Sequence, residues 1–245
     1  MKIEKSLYTY DNWNNGYTSI LAYEINLINT IYSRYFDNFD TSNLIVSFDT
    51  TENSKAPICY KQLHSIVLNA DIIYWCQVAY QYCHELCHYC IQGLTIQKFK
   101  WLEESICELA SVYFMNILAK EWAKGMLYQE YSVHIKSYAD AVFSEDKCKQ
   151  FNLIDLTYDT EIFNMMATNQ YNRDYNRTVA KNLLNVFQEN PILWNHISKL
   201  GQIRNAQSLK EFLDKWGNII QRPDLSCLIL SVFVSDEISS SDKSQ

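Results

Sequence analysis

The sequence predicts an α+β fold that is mostly α-helical, with a small β-sheet whose edge strand packs on one central helix, followed by a helical C-terminal subdomain. The chain of 245 residues is 48% hydrophobic and 14% aromatic, which is ample for a buried core. It contains only five Gly and three Pro. Its apolar residues recur over long stretches at helical rather than alternating spacing, so helix should dominate over sheet.

The first part of the chain is predicted to contain one helix and two strands. Apolar residues at helical spacing predict an amphipathic helix from about Tyr17 to Tyr35. Residues 44–48 and 65–69 are rich in β-branched and apolar residues and are bounded by Asp, Asn and Pro. These two segments are typical of strands and could pair in a small sheet.

Helices account for most of the remaining chain. Asp71 is a candidate cap for a long helix over residues 72–92, and Gly93 is a candidate terminator. A loop leads to a second helix over residues 100–120. Helical spacing then recurs in residues 126–143, 175–189, 192–200 and 208–220, with Ser208 and Glu211 placed as a capping box.

Composition and charge exclude several classes of partner. A net charge of -7 without a cluster of Lys and Arg argues against a nucleic-acid surface. The longest apolar run, Leu228 to Val234, is much shorter than the roughly 20 residues needed to cross a bilayer, so we expect a buried core segment and no membrane span. The first residues lack the apolar stretch of a signal peptide, which predicts a cytoplasmic protein.

The eight Cys residues are then expected to be reduced thiols. Four of them, Cys76, Cys83, Cys87 and Cys90, recur at helical spacing, which favours a packed stripe of small apolar side chains. A zinc cluster of Cys ligands is the alternative. Four thiolates on one continuous helix cannot all surround one tetrahedral ion, which disfavours it.

The motif that carries chemistry lies in the long helix, where residues 84–88 form the sequence His-Glu-Leu-Cys-His. Residues four apart on a helix lie on one face, about 6 Å of rise and roughly 40° of rotation apart, so His84 and His88 can bind one metal ion. Glu85 points to the flank of that face. There its carboxylate can take a proton from a metal-bound water without becoming a ligand.

A third ligand is expected from the second helix, because a catalytic zinc usually has three protein ligands and leaves one position for water. Glu104 and Glu108 occupy one face of that helix by the same four-residue rule. One of them can bind the ion while the other accepts the remaining N–H of a ligand His. Glu103 is expected to be a solvated helix charge.

The pattern resembles the gluzincins, the metallopeptidases that include thermolysin and the aminopeptidase N family. Residues 101–105, Trp-Leu-Glu-Glu-Ser, match the Trp-Leu-x-Glu-Gly stretch of aminopeptidase-like members except that Ser105 replaces Gly. This match implies Glu104 as the third ligand. The resemblance to thermolysin-like members implies that Glu108 is the supporting carboxylate. Gluzincins also place an edge strand ahead of the metal helix to pair with an extended peptide, and residues 65–69 are similarly placed.

Together these features predict a Zn²⁺-dependent peptidase that hydrolyses peptide or protein substrates by metal-activated water, with Glu85 as general base. The predicted domains are a zinc-binding catalytic subdomain (1–123), a helical subdomain (124–234) and a disordered tail (235–245). One alternative is an inactive relative that keeps a structural or regulatory zinc site and acts as a binding module; another is a helical scaffold without metal. The sequence leaves the substrate side chains, the oxyanion-stabilising donor and the oligomeric state open.

Overall fold

The computed structural model of the chain describes residues 1–4, 17–51, 54, 56–125 and 129–234. These residues form nine α-helices and a four-stranded mixed sheet, which confirms the predicted mostly α-helical α+β class. No helix among them combines the length and apolar character needed to cross a membrane. The predicted tail lies outside the described residues.

Two compact units divide the chain. The first comprises Met1–Cys90 and Ala110–Val142, and the second comprises Ile91–Leu109 and Phe143–Gln245. The long helix over residues 100–124 is continuous and contributes its first ten residues to the second unit and the rest to the first. The predicted domain boundary after residue 123 stays a prediction.

The sheet belongs to the first unit. Its strands are β1 (Lys2–Glu4), β2 (Ile45–Phe48), β3 (Ile58–Tyr60) and β4 (Ser65–Leu68), in the order β1-β2-β4-β3. The two predicted strands, β2 and β4, pair in parallel, with Ile45 opposite Ser65 and Phe48 opposite Leu68. Side chains alternate across the sheet, and one face buries Val46, Phe48, Ile66 and Leu68 completely.

β3 forms an edge of the sheet and β4 lies inside it, so the expectation that residues 65–69 form the edge strand was wrong. β4 is hydrogen-bonded on both sides, in parallel to β2 and antiparallel to β3. β3 is only three residues long and follows Pro57. So short a segment has no recognisable alternation of apolar and polar residues, and the sequence did not predict it as a strand. Ile58 and Tyr60 stay 45% and 44% exposed on this edge.

The helices of the first unit are α1 (Tyr17–Tyr32), α2 (Trp75–Cys90), α4 (Ser132–Val142) and residues 110–124 of α3 (Lys100–Lys124). α2 is shorter than predicted at both ends. Asp71 caps a turn ahead of the helix, where its Oδ1 accepts a hydrogen bond from the Ile73 N–H at 3.1 Å. The helix ends at Cys90, and Gly93 adopts a left-handed backbone with φ of +79° beyond it.

The second unit contains the start of α3 together with α5 (Glu161–Thr168), α6 (Arg173–Glu189), α7 (Leu193–Ile197), α8 (Leu209–Ile220) and α9 (Pro223–Val234). Ser208 caps α8 by accepting from the Glu211 N–H at 3.2 Å. The carboxylate of Glu211 accepts instead from the Gln207 N–H, so the capping box is only half formed. The apolar run over residues 228–234 is buried on one side only, since Ile229 and Phe233 are buried while Leu228 is 37% exposed.

Candidate metal centre

The structure brings His84, His88 and Glu104 together. One ligand atom from each residue lies within 4.8 Å of the other two, and this group could hold a metal ion. The two imidazole rings, one helical turn apart on α2, have centroids 5.1 Å apart and meet edge to face at 63°. The ligand group is buried, although each His residue as a whole keeps some accessible surface. Among the described residues, it is the one group of this kind.

Glu104 reaches this group from the first turns of α3. α3 is one continuous α-helix from Lys100 to Lys124, and Glu104 lies in its second turn. Ser105, which stands where the gluzincin pattern has Gly, is fully buried. Its hydroxyl donates to the Trp101 carbonyl at 2.8 Å, so the polar group that Ser adds is satisfied within the helix.

Two side chains tie α2 to opposite ends of β4. The Gln81 amide oxygen accepts from the N–H groups of Asn69 and Ala70, both at 3.1 Å, and its amide nitrogen donates to the Asn69 side chain at 2.5 Å. At the other end, the hydroxyl of Tyr89 lies 2.8 Å from Nδ1 of His64. The two contacts flank residues 84–88, so the sheet holds this turn of α2 from both sides.

Tyr32 on α1 braces α2 and α3 at once. Its hydroxyl donates to the Cys83 carbonyl at 2.5 Å, one residue before His84. Its ring packs on Phe114 of α3 with centroids 4.1 Å apart. Trp75 and Trp122 give a second contact between the two helices, at 5.9 Å. These aromatic contacts hold the second half of α3 against α1 and α2 within the first unit.

The carboxyl groups near the ligands are buried rather than solvated. Glu85, the predicted base, follows the first ligand in the sequence and is 4% exposed. The expectation that Glu103 is a solvated charge was wrong, because it is 3% exposed. Every residue from 101 to 110 of α3 is buried, so residues that point away from the Glu104 face of the helix also lie inside the protein.

Glu108 forms a buried ion pair inside the second unit. Its Oε1 accepts from the Nε of Arg177 on α6 at 2.8 Å, and the two side chains are 2% and 15% exposed. The side-chain amide nitrogen of the neighbouring Asn176 donates to the Gln170 carbonyl at 2.7 Å, and its Oδ1 lies 3.3 Å from the Ser105 hydroxyl oxygen. The expected role of Glu108 in supporting a ligand His stays a prediction.

The thiols of α2 are packed side chains. All eight Cys residues are free, as expected. Burial, followed by the nearby Glu24 carboxyl for Cys83 and by the Cys87 thiol for Cys90, raises the pKa of Cys83 and Cys90 well above the ordinary value. Among the described residues, no Cys belongs to a group of side chains close enough together to hold a metal ion, which supports the packing interpretation over a Cys zinc cluster.

Two residues that fix the position of α2 were not singled out by the sequence. Tyr32 contacts Cys83 over a separation of 51 residues, and Gln81 contacts Asn69 over a separation of 12, and no local spacing rule predicts either contact. Asn176 was also missed, although the sequence offers a signal for it. It lies on the buried face of α6, with apolar residues three, four and seven positions later, and a polar residue on such a face usually has a buried hydrogen-bond partner.

Comparisons with protein-family models, with curated proteins and with solved structures give no match to this chain. The assignment of chemistry therefore depends on the residues themselves. What the structure shows is an α+β protein with a buried group of two His and one Glu that could hold a metal ion.

Proposed function

We propose that this protein is a zinc-dependent peptidase whose catalytic base is Glu85. The observation that carries the proposal is the convergence of ligand atoms of His84, His88 and Glu104 within 4.8 Å of one another. Glu85, the next residue after His84, is buried. Three ligands leave a coordination position open for water or substrate, which is typical of catalytic rather than structural zinc sites.

The donor set alone does not identify the metal. Two His and one carboxylate bind Zn²⁺ in hydrolases and Fe²⁺ in some oxygenases. The place of Glu85 in the sequence, directly after His84, favours hydrolysis, because the general base of the H-E-x-x-H zinc peptidases occupies this position. The placement of His88 one turn after His84 on a helix also matches the H-E-x-x-H arrangement of zinc peptidases.

In the proposed reaction, a water oxygen forms a bond to the scissile carbonyl carbon and the peptide C–N bond breaks. A divalent ion on the three ligands would supply a Lewis acid that polarises the carbonyl and makes water more acidic. Glu85 accepts a proton from the attacking water and passes it to the leaving amine. The hydrogen bonds made by Tyr32 and Gln81 hold the part of α2 that carries His84, Glu85 and His88 in one position.

The experiment combines metal analysis with peptide hydrolysis. Protein expressed without added metal is analysed for bound metals by mass spectrometry, and the zinc-loaded protein is incubated with a peptide library. We expect about one zinc per chain in the wild type and loss of zinc in His84→Ala. Glu85→Gln should keep its zinc and lose at least about 100-fold in turnover, because general-base catalysis is removed while the ligands remain.

Glu189→Gln is the matched control for the second variant, since it makes the same chemical change at an exposed position of α6. It should keep both zinc and turnover. A zinc-loaded wild type that cleaves no member of the library would contradict the proposal and favour a structural or regulatory metal site. Bound iron in place of zinc would also contradict it.

A further inference from the structure

A second feature of the first unit is an open cavity of about 450 Å³ at the N-terminal end of α2. Residues 73–77 form one wall, and Tyr131, His134 and Tyr138 form the other. The Trp75 ring packs against Tyr131 at 5.0 Å between centroids. This volume is in the range of sites that hold small ligands, and aromatic walls of this kind are common in them.

The cavity lies along the same helix as the metal ligands. Gln77, which lines it, precedes His84 by seven residues, which on an α-helix is roughly 10.5 Å of rise and only about 20° of rotation. Tyr80, one turn before His84, packs its ring 5.9 Å from that of Tyr138 in the opposite wall. Part of the cavity wall therefore continues directly into the face of α2 that carries the histidines.

The lining favours an apolar occupant. No Lys, Arg, Asp or Glu is present among the described residues that line the cavity. Burial, with a smaller contribution from Glu24, raises the pKa of the Cys76 thiol to about 12, so this wall is neutral as well. A charged group entering the cavity would lose hydration without finding an opposite charge, whereas an apolar or aromatic group gains by leaving water.

From these observations we infer that the cavity is a specificity subsite that receives a bulky apolar or aromatic side chain of a peptide bound at the metal centre. The inference depends on the proposed peptidase function, since it names the substrate class of the same site. An extended peptide advances about 3.3 Å per residue, so roughly 10.5 Å corresponds to a side chain about three positions from the scissile bond.

The test uses zinc-loaded full-length protein and matched peptides that carry Phe, Leu, Lys or Asp at each of the positions two to four residues from the scissile bond, on both sides. We expect kcat/KM for Phe and Leu to exceed that for Lys and Asp by about tenfold or more at one position. Gln77→Trp, which fills the cavity, should reduce this preference to about twofold or less. Tyr131→Ala, which removes one wall, is the second variant and should weaken the preference for Phe.

Tyr171→Ala is the control, because Tyr171 is 66% exposed and lies in the other unit. It should leave the preference unchanged. Cleavage without an apolar preference at any of these positions, or a preference that survives both cavity variants, would overturn the inference while the peptidase function stands.

If the zinc-loaded protein cleaves none of the peptides, the peptidase proposal fails. Peptide binding then tests whether the cavity is an apolar subsite. Anisotropy with labelled Phe and Lys peptides is then measured on the wild type and on Gln77→Trp. Tighter binding of the Phe peptide that is lost in Gln77→Trp supports the subsite. Equal binding of both peptides, or no binding, overturns it.

Discussion

Removing the Arg177 side chain is expected to destabilise the protein strongly, because it leaves the buried carboxylate of Glu108 without its cation. The pair is closed at 2.8 Å, and the carboxylate is only 2% exposed. Breaking a buried pair by removing one partner costs about 3–5 kcal/mol. Since Arg177 itself is 15% exposed, we expect Arg177→Met to fall near the lower end, at about 3 kcal/mol.

The measurement is urea unfolding followed by circular dichroism. With a denaturant slope of about 2 kcal/mol per molar urea, 3 kcal/mol corresponds to a fall in the midpoint of roughly 1.5 M. Lys210→Met is the control in the same unit. Lys210 and Asp214 are as close, at 2.7 Å, but 68% and 48% exposed, so losing that pair should matter little.

A double variant separates the loss of the pair from the burial of a lone charge. Arg177→Met combined with Glu108→Leu removes both charges, and it should recover much of the stability that the single variant loses. If Arg177→Met lowers the free energy of unfolding by no more than Lys210→Met does, burial does not govern the strength of the Arg177–Glu108 pair, and the reasoning is refuted.

Three further predictions concern pH, backbone conformation and metal. Burial raises the pKa of Glu24 well above its ordinary value of 4.5, so between that value and the raised pKa the folded state holds a proton that the unfolded state has lost. The free energy of unfolding should therefore fall as the pH rises above 4.5, by up to about 1.4 kcal/mol per pH unit. Glu24→Met should remove this slope in pH-dependent urea unfolding, and parallel profiles would contradict the assignment. Gly93→Ala should lower stability by more than roughly 1 kcal/mol in the same assay, because φ is +79° and a Cβ would lie 2.7 Å from the Gly201 carbonyl oxygen; an unchanged midpoint would contradict this. Zinc at about 100 times its Kd should stabilise the protein by about 2.7 kcal/mol in thermal unfolding, and a similar response in His84→Ala would show that the ion binds elsewhere.

The spacing of residues along single helices was readable from the sequence. His84 and His88 share a face because α-helical geometry places residues four apart together, whatever surrounds the helix. The same local rules predicted β2, β4 and the Ser208 cap, and the match of residues 101–105 to a known pattern selected Glu104. Each of these features depends on interactions within a few residues of the chain.

The long-range contacts of the fold were decided only by the tertiary structure. The placement of β3 at the sheet edge, the Tyr32 brace and the Arg177 ion pair join residues far apart in the sequence, and no local pattern specifies which distant partner a buried polar group will find. Burial of Glu103 and Glu24 has the same origin, since whether a helical carboxyl faces water depends on what packs around the helix. The sequence thus determined which side chains could bind a metal, and tertiary packing determined that the three ligands meet.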